Sequence, residues 1–155
     1  MRVRHATPED ADALRSMLGE YLKEEHEAGS MLAPGERSMA AYLGLFSALI
    51  SRQSPGSVLI AEEGEEAIGF TSFYVQQSRL DLTSGPVAQS CINYVRPDHR
   101  RGGAASELIA RKEDLARALG CKSIQTTIRA ANSASLGLVG KAGYSIRDLV
   151  LEKAL

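Results

Sequence analysis

Hydrophobic positions change their spacing along this chain, and the changes divide it into elements. Ala11, Leu14, Met17, Leu18, Tyr21 and Leu22 recur every three or four residues, the spacing of one helix face. Ahead of them, Thr7-Pro8-Glu9-Asp10 supplies a cap, a proline at the first helical position and acids in the first turn. In MRVRHAT, Val3 alternates with charged neighbours and predicts a short first strand. KEEHEAGSMLAPGE, holding Gly29, Pro34 and Gly35, reads as a connector. RSMAAYLGLFSALIS is a second helix, apolar on several sides, that ends before Ser54-Pro55-Gly56.

From there the period is two. SVLIAEE, the turn GEEA, and IGFTSFYVQQS predict a hairpin, and AQSCINYV predicts another strand, stopped by Pro97. AASELIARKEDLARALG is an amphipathic helix with Leu108, Ile109, Leu115 and Leu119 inward and Gly120 as its end signal. KSIQTTI then reads as a strand, NSASLGLVGKAG as a short helix opened by an Asn cap, and YSIRDLVLEKA as a final strand. The order β-α-α-β-β-β-α-β-α-β has an antiparallel run before its crossover helix. That argues for an α/β chain of the α+β kind, a mixed sheet with helices on its faces, over a regular doubly wound fold.

Composition narrows the function classes. A length of 155 residues with 44% hydrophobic and 24% charged residues describes one domain, residues 1–155, without linker or repeat. A net charge of −1 gives no field for nucleic acid. The apolar runs fall far short of the ~20 residues that span a bilayer, and Met1 to Thr7 is too short and polar for a signal peptide. Cys91 and Cys121 have no metal-ligand spacing, and the three histidines are scattered. The expectation is a cytoplasmic protein with no metal, no nucleic acid and no membrane partner.

HRRGGAASEL, residues 99–108, carries the most specific chemistry. A helix start offers unpaired N–H groups and partial positive charge. Gly102 and Gly103 let the backbone fold over an anion, Ala104 and Ala105 keep side chains away, and Arg100 and Arg101 add charge. Such a turn seats a pyrophosphate, although a strand-loop-helix joint with two glycines is more often only a joint. It is neither GxxxxGK[ST] nor GxGxxG, which excludes the usual ATP and dinucleotide loops.

YVRPDHRRGGAASEL resembles the coenzyme A loop of the GNAT superfamily of acyl-CoA N-acyltransferases, a Val-x-Pro-x-x-Arg run leading into R-x-x-G-x-G/A, here Arg100, Gly103 and Ala105. NSASLGLVGKAGY is similar to a second family signature, with Asn132, Lys141, Gly143 and Tyr144 at the family's spacings. The resemblance implies a mostly antiparallel central sheet splayed after strand four, with helices on both faces. It implies acetyl-CoA as acyl donor, with its pyrophosphate on the amides of Arg101, Gly102, Gly103, Ala104, Ala105 and Ser106. Asn93, Tyr94 and Val95 would pair with the pantetheine arm, an N–H there facing the thioester oxygen. Asn132, Ser135 and Lys141 would complete the cofactor site.

The chain also departs from the family. Val139 replaces the tyrosine that protonates the departing thiolate, and Ser135 stands one helical turn earlier. Strand four offers Gln89, Ser90, Cys91 and Asn93 where many relatives place a carboxylate. Asn93, Tyr94 and Ser135 are therefore the catalytic candidates. Cys91 reads as a half-buried strand residue before it reads as a nucleophile, and Tyr144 as core before proton donor. Glu20, Glu24, Glu25 and Glu27 lie beside the expected acceptor slot. They form either a solvated helix end or a lure for a cationic amine, with Glu24, Glu25 and Glu27 the substrate-binding candidates. The acceptor side is open, or closed by EEHEAGSMLAPGE or by the second subunit of a homodimer. The leading expectation is an acetyl-CoA-dependent N-acetyltransferase acting on a primary amine of a small molecule. A protein lysine or N-terminal acetyltransferase and a non-catalytic acyl-CoA-binding regulator are its alternatives.

Overall fold

The computed structural model describes residues 1–29, 35–76, 85–148 and 153. Five strands, β1 (Arg2–His5), β2 (Gly56–Glu63), β3 (Glu66–Gln76), β4 (Val87–Val95) and β5 (Ser123–Gln125), form one sheet in sequence order. The first three pairings are antiparallel and β4–β5 is parallel. The sheet is thus mixed and mostly antiparallel, as expected. Two helices, α1 (Ala11–Glu27) and α2 (Glu36–Ile50), cover one face, and α3 (Ala104–Ala118) covers the other. A short α4 (Ser133–Lys141) follows β5, and three-residue 3₁₀ turns stand at Pro8–Asp10 and Pro97–His99.

The alternation of β2 and β3 sends side chains to two cores. Val58, Ile60 and Phe70 meet Leu14, Met17, Leu18, Leu22 and Phe46 under α1 and α2. Leu59, Ala61 and Ile68 meet Leu108 under α3. Phe70 is fully buried edge-to-face with Phe46, ring centroids 5.6 Å apart, so truncation to alanine should cost about 3–5 kcal/mol. Gly69 has a steric reason: a Cβ there would stand 2.7 Å from the Tyr94 carbonyl oxygen, so only glycine lets β3 approach β4 this closely.

Three expectations need correction. Leu119 is 46% exposed rather than inward, because α3 ends at Ala118 and the chain turns out through Gly120. KSIQTTI supplies only the three residues of β5. No strand forms over Tyr144–Asp148, and the rest of YSIRDLVLEKA lies outside the described residues except Lys153. Part of KEEHEAGSMLAPGE, residues 30–34, is likewise outside them.

Candidate active site

The parallel pairing is short. β5 meets β4 only at Val87–Ser123, Ala88–Ile124 and Gln89–Gln125. From Ser90 to Val95, β4 keeps β3 on one side and, among the described residues, has no strand on the other. A bulge marks the parting: Ser72 faces Ile92 and Phe73 faces Ser90, which leaves Cys91 unpaired. An extra residue of this kind bends and twists its strand. The sheet therefore forks just past Gln89.

The open edge of β4 runs into the glycine turn. After Pro97–His99, Arg101 has φ 67° and Gly103 has φ 89°. A left-handed arginine is strained by about 1–3 kcal/mol, whereas glycine adopts that conformation freely. Glu107 donates its N–H to the Gly103 carbonyl at 3.0 Å. The six amides before it, Arg101 to Ser106, have no partner among the described residues. Ala104, the first residue of α3, turns its methyl group into the core with Leu59, Ala61 and Leu108, away from these amides.

On the α1 side, Tyr94 donates its hydroxyl to Glu20 Oε2 at 3.0 Å. Arg100 donates to both Glu24 oxygens at 2.8 and 2.7 Å, and from Nε to the Val95 carbonyl at 2.8 Å. Its guanidinium lies 5.7 Å from the Tyr94 ring centroid. Arg129, from the segment after β5, donates to the Glu25 carboxylate at 3.1 Å and to the Glu25 and Ala28 carbonyls at 3.1 and 3.0 Å. Glu24 and Glu25 thus already hold arginine partners, while Glu27 is exposed, with Lys23 3.9 Å away. Burial, then the Glu20 hydrogen bond, pushes the Tyr94 phenol well above its ordinary value. Burial also pushes the Cys91 thiol up, which removes the thiolate that a nucleophile would need.

In α4, Asn132 Oδ1 accepts the Ser135 N–H at 3.0 Å and caps the helix. Among the described residues these two have no hydrogen bond to β4 or to the glycine turn. Lys141 is exposed and Val139 buried. Tyr144 Oη and Glu113 Oε1 are both buried and, among the described residues, without a hydrogen-bond partner. Burial, with Glu113 nearby, raises the Tyr144 phenol far above its usual range.

Two functional-looking groups escape a reading of the sequence. Arg129 shows no signal, since a lone arginine after a short strand is ordinary. Lys112 is 1% exposed and donates to Ser90 Oγ at 2.8 Å and Asn93 Oδ1 at 2.9 Å. Its signal is its spacing, four residues from both Leu108 and Ala116 on the buried stripe of α3. Burial lowers its ammonium to about 8. A cavity of about 370 Å³ lined by Leu49, Ile50, Leu115 and Leu119 opens beside Ser57, away from the fork. Among the described residues no three His, Cys, Asp or Glu side chains cluster to hold a metal, and no helix is long and apolar enough to cross a membrane.

Comparison with known proteins gives this geometry a context. The Acetyltransferase (GNAT) family matches residues 14–144. The uncharacterized N-acetyltransferase YhfO of Bacillus subtilis (strain 168) is 28% identical over 144 residues, 93% of this chain and 89% of that protein. A mutant of the BH1408 protein from Bacillus halodurans shares the fold at a TM-score of 0.85, with 17% identity, covering 100% of this chain and 99% of the other. AAC(6')-Iy, in complex with the bisubstrate analog CoA-S-monomethyl-acetylneamine, shares it at a TM-score of 0.76, with 17% identity and coverage of 99% and 97%.

Proposed function

Because the chain belongs to the GNAT acetyltransferase family, we propose that it transfers the acetyl group of acetyl-CoA to a primary amine of a small molecule, by direct attack on the thioester. The observation that carries this reading is continuity. The edge of β4 from Ser90 to Val95, which no other described strand joins, leads directly to six amides at the start of α3 without a partner among the described residues.

Each part of the donor finds suitable chemistry along that line. The pyrophosphate sits on the amides of Arg101 to Ser106, where helix dipole and free N–H groups favour an anion. The pantetheine amides pair with the edge of β4 over Asn93, Tyr94 and Val95 as an added strand does. They meet the outward backbone groups of Asn93 and the Val95 N–H, since Arg100 holds the Val95 carbonyl. Asn132, Ser135 and Lys141 flank it from α4. The amine enters from the α1 side, alongside the Glu20–Tyr94 pair. The reading is of a cytoplasmic enzyme.

The reaction forms one N–C bond and breaks one C–S bond. The amine nitrogen must be neutral to attack, and an alkylamine with pKa about 10.4 is neutral roughly once in 2,500 molecules at pH 7. Holding both reactants in the fork lowers the barrier by roughly 7–11 kcal/mol. As the intermediate collapses, the thiolate leaves. It resembles a free cysteine with pKa about 8.5, so departure needs little help from an acid. This suits a site with Val139 in the tyrosine's place. The nitrogen's surplus proton passes to water or to the Glu20 carboxylate beside Tyr94.

Calorimetry with acetyl-CoA and thiol release against an amine panel test the reading. The panel includes aminoglycosides, spermidine-like amines and lysine peptides. Wild type should bind acetyl-CoA and release thiol only with amine, small amines outcompeting peptides. Gly103→Val has free space around its Cβ, yet it strains the turn and crowds the phosphate, so affinity should fall at least tenfold. Unchanged affinity in a folded Gly103→Val protein refutes the phosphate seat. Tight binding without turnover on any amine indicates the non-catalytic regulator.

A further inference from the structure

Lys112 stands where its chemistry is costly. It is 1% exposed on the sheet-facing side of α3, and no carboxylate pairs with it among the described residues. A buried ammonium without counter-charge weakens a fold unless neutral oxygens satisfy it. Two do: Ser90 Oγ at 2.8 Å and Asn93 Oδ1 at 2.9 Å, both on the length of β4 past its last described pairing with β5.

The ammonium decides which way the Asn93 carboxamide points. Lysine has only donors, so the atom facing it is the carboxamide oxygen, and the opposite flip would set donor against donor. Thr71, directly across on β3, turns its hydroxyl to the same Asn93 oxygen and shares its hydrogen with the Ile92 carbonyl at 2.9 Å. With oxygen held toward α3 and β3, the NH₂ group points away from both. Beyond Gln89 that direction is the fork. The NH₂ has no protein acceptor among the described residues, and it is not one of the buried unsatisfied atoms. It is the donor that the Lys112 and Thr71 contacts leave uncommitted.

We infer that Lys112 and Thr71 are positioning residues that clamp the Asn93 carboxamide oxygen, so that the Asn93 NH₂ donates into the fork to the carbonyl oxygen of the acyl group. The inference rests on the acetyl-transfer reading. As the amine's N–C bond forms, the carbonyl π pair moves onto oxygen, and a fixed donor there stabilises the growing charge without reorganising. A strand-four carboxylate accepts a proton from the amine. Asn93 does the opposite job at this edge, with the Lys112 charge behind it.

Asn93→Asp separates this role from a structural one. One aspartate oxygen stays on Lys112 as an ion pair, while the other replaces the NH₂ donor with an acceptor. The melting temperature should hold or rise and acetyl-CoA affinity should stay within about threefold, yet kcat should fall about 10²-fold, the effect typical of a lost oxyanion donor. Asn93→Ala should lose as much. Lys112→Met, or Thr71→Val should the first fail to fold, should lower kcat about tenfold or more, and add nothing in the Asn93→Ala background. An Asn93→Asp variant with wild-type kcat makes the network structural, and one with raised kcat makes the position a base. Either result overturns the clamp. Failure of the acetyl-transfer reading shows in the wild type, as no amine-dependent thiol release, and removes this inference with it. Failure of the clamp alone shows only in the ratio of variant to wild type.

Discussion

Arg100 of the glycine turn holds both carboxylate oxygens of Glu24, at 2.8 and 2.7 Å, although 76 residues separate them. The contact joins the place proposed for the donor's pyrophosphate to the helix proposed to face the amine. Both side chains are over a third exposed, so the pair is worth at most about 1 kcal/mol.

Glu24→Gln should therefore free Arg100 for phosphate and tighten acetyl-CoA binding up to about fivefold, the factor that 1 kcal/mol allows. Calorimetry at low and physiological salt checks this, with the gain shrinking as salt screens the charges. Glu27→Gln, at an exposed site away from Arg100, should leave acetyl-CoA affinity unchanged. Equal affinities for wild type and Glu24→Gln would mean that Arg100 never reaches the phosphate.

Ser135→Ala should cost less than about tenfold in kcat. The Ser135 N–H caps onto Asn132 Oδ1 and survives the substitution, while a serine hydroxyl is a poor acid. Steady-state kinetics at saturating acetyl-CoA measure this directly. A loss of about 10³-fold with unchanged coenzyme affinity would make Ser135 the proton donor. Val139→Tyr is a harsher test, because Val139 is buried and overpacking costs typically 1–3 kcal/mol.

Lys112 gives stability a pH signature. Its folded value of about 8 lies below the ordinary 10.5. Between those values the unfolded chain holds a proton that the folded one has lost, so stability rises with pH. From pH 7 to about 9.5 the rise should be on the order of 2 kcal/mol. Below about pH 8 both states carry the proton and the slope vanishes. Urea unfolding across this range should show the climb in wild type and a flatter line in Lys112→Met.

Much of this site was legible because it lies in the backbone, and backbone demands leave marks on residue type. Gly103, left-handed before α3, and Asn132, capping α4, stand out in the sequence for the same reasons that the structure uses them. The period of three and four located α1 and α3, and Pro97 stopped β4 after Val95. Side-chain pairings between distant segments left no such mark. Nothing in EYLKEEHEAG tells Glu24 from Glu27, yet one binds Arg100 and the other lies exposed near Lys23. Lys112 was hidden differently. Its helical position is buried, but its residue type belongs to the surface, and only the oxygens of Ser90 and Asn93 reconcile the two. YSIRDLVLEKA alternates as a strand does, but alternation supplies no neighbour, and Tyr144–Asp148 have none among the described residues.

The three rungs between β4 and β5 also set an order of opening. β1 to β4 are joined by longer antiparallel ladders, and local closure makes such a meander quick to form. The parallel pairing waits for the α3 crossover and is the shortest interface in the sheet. Sub-global unfolding should begin there, with the Ser123–Gln125 amides exchanging hydrogen for deuterium well before those of β2 and β3. Arg129, hooked onto the Glu25 and Ala28 carbonyls at the end of α1, then still ties the segment that follows β5 to α1. A ligand lying along both branches of the fork would splice them, and its binding should register as protection on β5 as much as on the glycine turn.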